Sequence, residues 1–198
     1  SEEKFKQGLE LERKEKFKEA LKAYKESFAL GFEKASQKIG RIAYDLGIIR
    51  MAKEQEASSH NIKYEQLSKR YSEILELFET AEKHKFEPAR DKLIEIFHIL
   101  GKSAQKDSYY QQARHFFIMG AERDDIMCLL KLGKLISIKR LEDPFETYRW
   151  TAEKCYKRAA LHGSRKGQVK YAQWAEQQVE KGKSKKFKVR LLYEAILF

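Results

Sequence analysis

The sequence predicts an all-α fold of about five antiparallel helix pairs, and three observations carry that expectation. A ladder of small and aromatic residues recurs along the chain, apolar residues within each copy fall at helical spacings of three and four, and only two prolines and ten glycines interrupt 198 residues. The ladder is clearest as Ala20, Tyr24, Gly31, Ala35, Ile39-Gly40, Tyr44 and Gly47. It returns 54 residues on as Ile74, Phe78, Lys85, Ala89, Leu93-Ile94, His98 and Gly101, and 39 later as Ala113, Phe117, Asp124, Cys128, Leu132-Gly133 and Ser137. Another 39 residues bring Ala152, Tyr156, Gly163, Gly167, Tyr171-Ala172 and Glu176. One helical-repeat domain over 1–198 is expected, with hairpins at about 1–31, 32–85, 86–122, 123–163 and 164–198.

Each element has a local reason. Gly8 stands where Gly40 and Gly133 stand in later copies, so residues 3–13 read as the first helix of an opening hairpin and 15–30 as its second. The second carries Phe17, Ala20, Leu21, Tyr24 and Phe28 on one helical face. Pro88 suits a first helical turn. Asp124-Asp125 can cap a helix and complement its positive end, and Asp143-Pro144 offers the same start to a helix running through Trp150. Gly31 and Gly163 follow second helices, where a left-handed residue ends a helix at little cost. Where two helices cross closely, a side chain larger than Ala would part the backbones, so Tyr24, Phe78, Phe117 and Tyr156 are expected to fill the space beside small partners as core residues. The longer interval places 15 extra residues between Gly47 and Tyr64, an insertion at about 50–64 that is either a contact loop or a lengthened helix pair with a link. At the end, Val189 to Phe198 reads as the last second helix of the array.

Composition excludes disordered and collagen-like classes, with 42% hydrophobic residues. No apolar run approaches the roughly 18 residues of a membrane span, and the first thirty residues alternate Glu and Lys, so a cytoplasmic protein is expected. The charge is unevenly placed. Residues 1–127 hold 24 Lys and Arg against 23 acids, whereas 128–198 hold 17 against 7, so +10 of the net +11 lies in the last 71 residues. Such asymmetry points to an anionic partner at the rear of the chain. Its densest part, Lys181, Lys183, Lys185, Lys186, Lys188 and Arg190, puts six cations in ten residues with no acid among them.

No residue pattern in the sequence points to catalysis or metal binding. The histidines His60, His84, His98, His115 and His162 never pair at the spacing that presents two metal ligands on a helix, and no nucleophile elbow or dinucleotide loop occurs. No cofactor, metal or small-molecule substrate is expected. Cys128 and Cys155 are too few for a disulfide framework; Cys128, on a small-residue position, reads as a buried thiol, and a bridge between the two is the alternative. Gly163 to Gly167 lacks phosphate-loop spacing, although Arg165 and Lys166 at a helix start suit a minor anion site.

The segments Ala23 to Gly31, Ile39 to Gly47, Leu132-Gly133 and Cys155 to Gly163 resemble the Sel1-like repeat, a relative of the tetratricopeptide repeat. The resemblance covers nearly the whole chain. Copies depart from the pattern at Lys85, Ile94, Ser137 and Arg140, and the opening hairpin looks more like a plain tetratricopeptide unit. The resemblance implies a right-handed α-solenoid with a concave face lined by the first helices of the hairpins, binding proteins or peptides without catalysis.

Two functions follow as expectations. In the first, the chain is a non-catalytic scaffold for a protein or peptide, an acidic one given the charge, contacted by Lys38, Arg41, Lys92, Lys131, Lys134 and Lys170. In the second, the basic rear binds nucleic acid or another polyanion through Arg165, Lys166, Lys181, Lys183, Lys185, Lys186, Lys188 and Arg190, with affinity that falls steeply as salt rises. An anionic membrane surface is a third candidate partner.

Overall fold

The computed structural model describes residues 1–57, 62–138 and 150–180, with residues 179 and 180 described as backbone only. The described residues are helical throughout apart from turns, in the order α1 (Glu2–Arg13), α2 (Phe17–Ala29), α3 (Ala35–Ala57), α4 (Tyr64–Lys83), α5 (Pro88–Lys106), α6 (Tyr110–Glu122), α7 (Ile126–Ser137), α8 (Ala152–Leu161) and α9 (Arg165–Glu180). None of them is long and apolar enough to cross a membrane. The chain divides into two compact units, Ser1–Ile96 and Phe97–Phe198.

In the first unit α1 packs on α2, α2 on α3 and α3 on α4. Tyr24, Ile39, Ile74, Phe78 and Leu93 are fully buried there. Close crossing of the helices accounts for the glycines. A Cβ on Gly8 would lie 2.6 Å from the Tyr24 ring, and one on Gly47 would lie 2.8 Å from the Phe78 ring. Helix α3 of 23 residues and α4 of 20 occupy most of the inserted stretch, since α3 runs to Ala57 and α4 begins at Tyr64. Arg50 and Met51 continue α3, with Met51 buried at 3% exposure, and residues 58–61 of the insertion lie outside the described residues.

In the second unit α6 packs on α7, α7 on α8 and α8 on α9, around Phe97, Leu100, Phe117, Leu129, Leu132 and Tyr171. The same device recurs. A Cβ on Gly101 would meet the Phe117 ring at 2.5 Å, one on Gly133 the Tyr156 ring at 2.6 Å, and one on Gly167 the backbone of α8 at Ala160, at 2.7 Å. Cys128 and Cys155 are both buried and both free thiols, so the bridge reading does not hold.

The turns follow the ladder with one refinement. Gly31 and Gly163 adopt left-handed φ values of 86° and 77°, and the non-glycine residues Lys85 and Asp124, at the same ladder position, adopt 59° and 63°. Asp tolerates this region better than most L-residues; Lys85 does so at a local cost. Helix α5 begins at Pro88 as expected. The start of α8 differs from expectation. Trp150 precedes the helix, which is capped by Thr151, whose side-chain oxygen accepts from the Lys154 amide at 3.1 Å. Asp143-Pro144 and the terminal segment Val189 to Phe198 lie outside the described residues.

Candidate functional site

A groove of about 530 Å³ in the second unit is lined by α7, α9 and one residue of α8. Along α7 the exposed stripe is Met127, Lys131, Lys134 and Ile138, at steps of four, three and four, opposite the buried Cys128, Leu129, Leu132 and Leu135. This is the periodicity of one helix face. Along α9 the lining residues are Lys166, Lys170, Gln173, Trp174 and Gln177, while Gly167, Tyr171 and Ala175 turn inward. Leu130, Ser137 and Tyr156 complete the lining.

Three local features hold these walls. Asp125 caps α7, its Oδ1 accepting from the Cys128 amide at 2.6 Å. Ser164 Oγ accepts from the Gly167 amide at 3.1 Å in the first turn of α9. The absence of a side chain at Gly133 lets the Tyr156 ring lie against α7, and the absence of one at Gly167 lets α9 close onto α8. Burial pushes the Tyr156 phenol above its ordinary value, while a hydrogen bond with Ser137 pulls it back in part. Trp174 stacks nearly parallel to Tyr171, with ring centroids 6.2 Å apart.

Electrostatically the groove has one sign. Among the described residues four lysines line it and no carboxylate does. Among the described residues Lys131, Lys134 and Lys166 have no ion-pair partner, and Lys170 donates only to the Gln173 side-chain oxygen, at 3.0 Å. Exposed apolar surfaces flank the two α7 ammonium groups, with Met127 at 41% and Ile138 at 45% exposure. Such a site can take carboxylate or phosphate oxygens together with apolar groups.

The structure therefore brings together four of the lysines singled out from the sequence, Lys131, Lys134 and Lys170 from the peptide-binding set and Lys166 from the anion-binding set. Arg165 is exposed at the start of α9 but does not line the groove. The remaining three of the first set lie in the Ser1–Ile96 unit, each beside a carboxylate. Lys38 donates to both oxygens of Glu12, at 3.2 and 2.9 Å. Burial would raise the Glu12 carboxyl, but the hydrogen bonds from Lys38 and Tyr24 outweigh it and hold the group below its ordinary value. Lys92 pairs with Glu95 at 2.9 Å, and that hydrogen bond raises its ammonium pKa. Arg41 is exposed, 3.9 Å from Asp45. Lys181, Lys183, Lys185, Lys186, Lys188 and Arg190 lie outside the described residues.

Sequence reasoning missed the apolar half of the groove, Met127, Leu130, Ile138 and Trp174. The four-three-four stripe on α7 was the available signal for two of them. It also missed a cluster in which His98, Asp125 and Cys128 offer atoms within 4.8 Å of one another. This cluster is better accounted for as a helix clasp than as a cation site. Asp125 Oδ1 is already shared by the Cys128 amide and His98 Nε2, each at 2.6 Å. Burial and the Asp125 charge hold the Cys128 thiol well above its ordinary range, so it is a poor source of thiolate. No model of a known protein family matches the chain, and comparison with curated proteins also gives no match.

Proposed function

We propose that the chain is a non-catalytic scaffold of Sel1-like helical repeats, arranged as a right-handed solenoid, that binds an acidic protein segment in the groove between α7 and α9. One observation carries this reading: four lysines from two helices converge on a groove whose lining contains no acid among the described residues. Helical-repeat stacks commonly offer extended binding surfaces, and a one-signed lining favours an oppositely charged partner, speeding encounter and excluding basic competitors. The location that suits this reading is cytoplasmic.

The test uses defined probes. Fluorescein-labelled polyglutamate, single-stranded RNA and vesicles of phosphatidylcholine with phosphatidylserine are titrated against three proteins of equal helicity: the full chain, K131E/K134E/K170E, and K183E/K185E/K186E/K188E. Polyglutamate binding that weakens with salt and is lost in the groove variant supports the reading. Binding confined to RNA or vesicles, and lost only in the tail variant, replaces it with polyanion recognition by the segment Lys181 to Arg190.

A further inference from the structure

The groove carries more information than its charge. We infer that it selects segments in which two bulky apolar side chains flank a pair of carboxylates, a proposal that rests on the acidic-segment reading above. The α7 wall presents an apolar residue, two cations and an apolar residue in order, Met127, Lys131, Lys134 and Ile138. Eleven helical steps separate its ends, roughly 16 Å at the usual rise. An extended chain spans that length in about five residues. The complementary pattern is therefore apolar, acidic, any, acidic, apolar, which reads the same in either chain direction.

A plain polyanion leaves half of this surface unused. Phosphates or a run of glutamates would satisfy the ammonium groups and leave Met127 and Ile138 in water, at 41% and 45% exposure. Apolar side chains at the two ends would cover them and also lie along the aliphatic stems of the lysines. Trp174 and Leu130 extend the apolar surface within the same groove. Excluding water around Lys131 and Lys134 strengthens their pairing with carboxylates as well. Methionine at one end suits this task because its unbranched side chain adapts to more than one apolar shape.

The experiment measures anisotropy of three labelled peptides with Gly-Ser flanks on the full chain. The first contains Leu-Glu-Ser-Glu-Leu, the second Ser-Glu-Ser-Glu-Ser, and the third has the first's composition reordered as Glu-Leu-Ser-Leu-Glu. The expected result is that the first binds about tenfold more tightly than the second, on the scale of burying one apolar side chain. That advantage should persist at high salt and be lost in M127S/I138S, to which the first and second peptides should bind alike. The third peptide should fall well below the first. Equal binding of the first and second peptides overturns the pattern while leaving an acidic-segment site in place. Failure of all three to bind, with polyglutamate also unbound, overturns the pattern together with the reading it rests on.

Discussion

His98 Nε2 lies 2.6 Å from Asp125 Oδ1, and the same oxygen accepts the Cys128 amide at the start of α7. A carboxylate can only accept, so the proton between them resides on His98 Nε2. One side chain thus satisfies one of the unpaired first-turn amides of α7 and ties that helix to α5, two residues before the groove residue Met127. The neighbouring Asp124 is held from α8, by Arg158 through Nε at 2.7 Å and by His162 at 3.0 Å. The two consecutive acids therefore anchor the α6–α7 turn to two different helices.

Asp125→Ala should lower unfolding stability by about 1–2 kcal/mol, the usual cost of losing an N-cap. Asp125→Asn, which keeps an acceptor for the Cys128 amide, should cost less. Urea denaturation followed by circular dichroism ranks the two, and equal losses would deny the cap its role.

Acid should weaken the fold in a defined direction. Burial would raise both carboxyls, but Asp124 is held below its ordinary value of 3.8 chiefly by Arg158 and then His162. Asp125 is held below the same value by His98 and the Cys128 amide. Carboxyls that are more acidic folded than unfolded add stability that is complete above their unfolded pKa and lost as pH falls through the folded one. The melting temperature should therefore drop as pH is lowered below about 4. The drop should be shallower in Asp125→Asn than in the native chain.

Gly133→Ala sets two effects against each other. In an open helix the change gains about 1 kcal/mol, but here the new methyl would lie 2.6 Å from the Tyr156 ring. Overpacking of that kind typically costs about 1–3 kcal/mol, so a net loss is expected, with recovery in Gly133→Ala combined with Tyr156→Leu. Thermal melts of the native chain and the two variants provide the check.

Lys85→Gly should have the opposite sign. Lys85 holds φ at 59° on an exposed turn, and relief of the left-handed penalty should raise stability by about 0.5–1 kcal/mol. A lower denaturation midpoint in that variant would mean that the lysine side chain contributes more than its backbone costs.

Much of the fold was legible because its tightest contacts are steric and periodic. Gly8, Gly47, Gly101 and Gly133 each face an aromatic ring on the following helix, and a ring against a bare backbone leaves a recurrent mark in sequence. The second helices ended where the ladder placed them, with Lys85 and Asp124 adopting the conformation that Gly31 and Gly163 take more cheaply. The inserted stretch was ambiguous because its polar residues suit a loop and the exposed turns of a long helix equally, and helix propensity is only a weak guide between them.

The candidate site divides along the same line. The stripe from Met127 to Ile138 follows from helical periodicity alone, since residues three and four apart must share a face. Its pairing with the Lys166 and Lys170 face of α9 depends on how α8 packs between those helices through Gly133, Tyr156 and Gly167. The same holds for His98 and Asp125, which are 27 residues apart, and for Lys38, whose ammonium is taken up by Glu12 rather than left for a partner. Periodicity is a property of each helix and is written in the chain. Which faces meet, and which charges remain unpaired when they do, is decided only when side chains distant in sequence exclude water from one another.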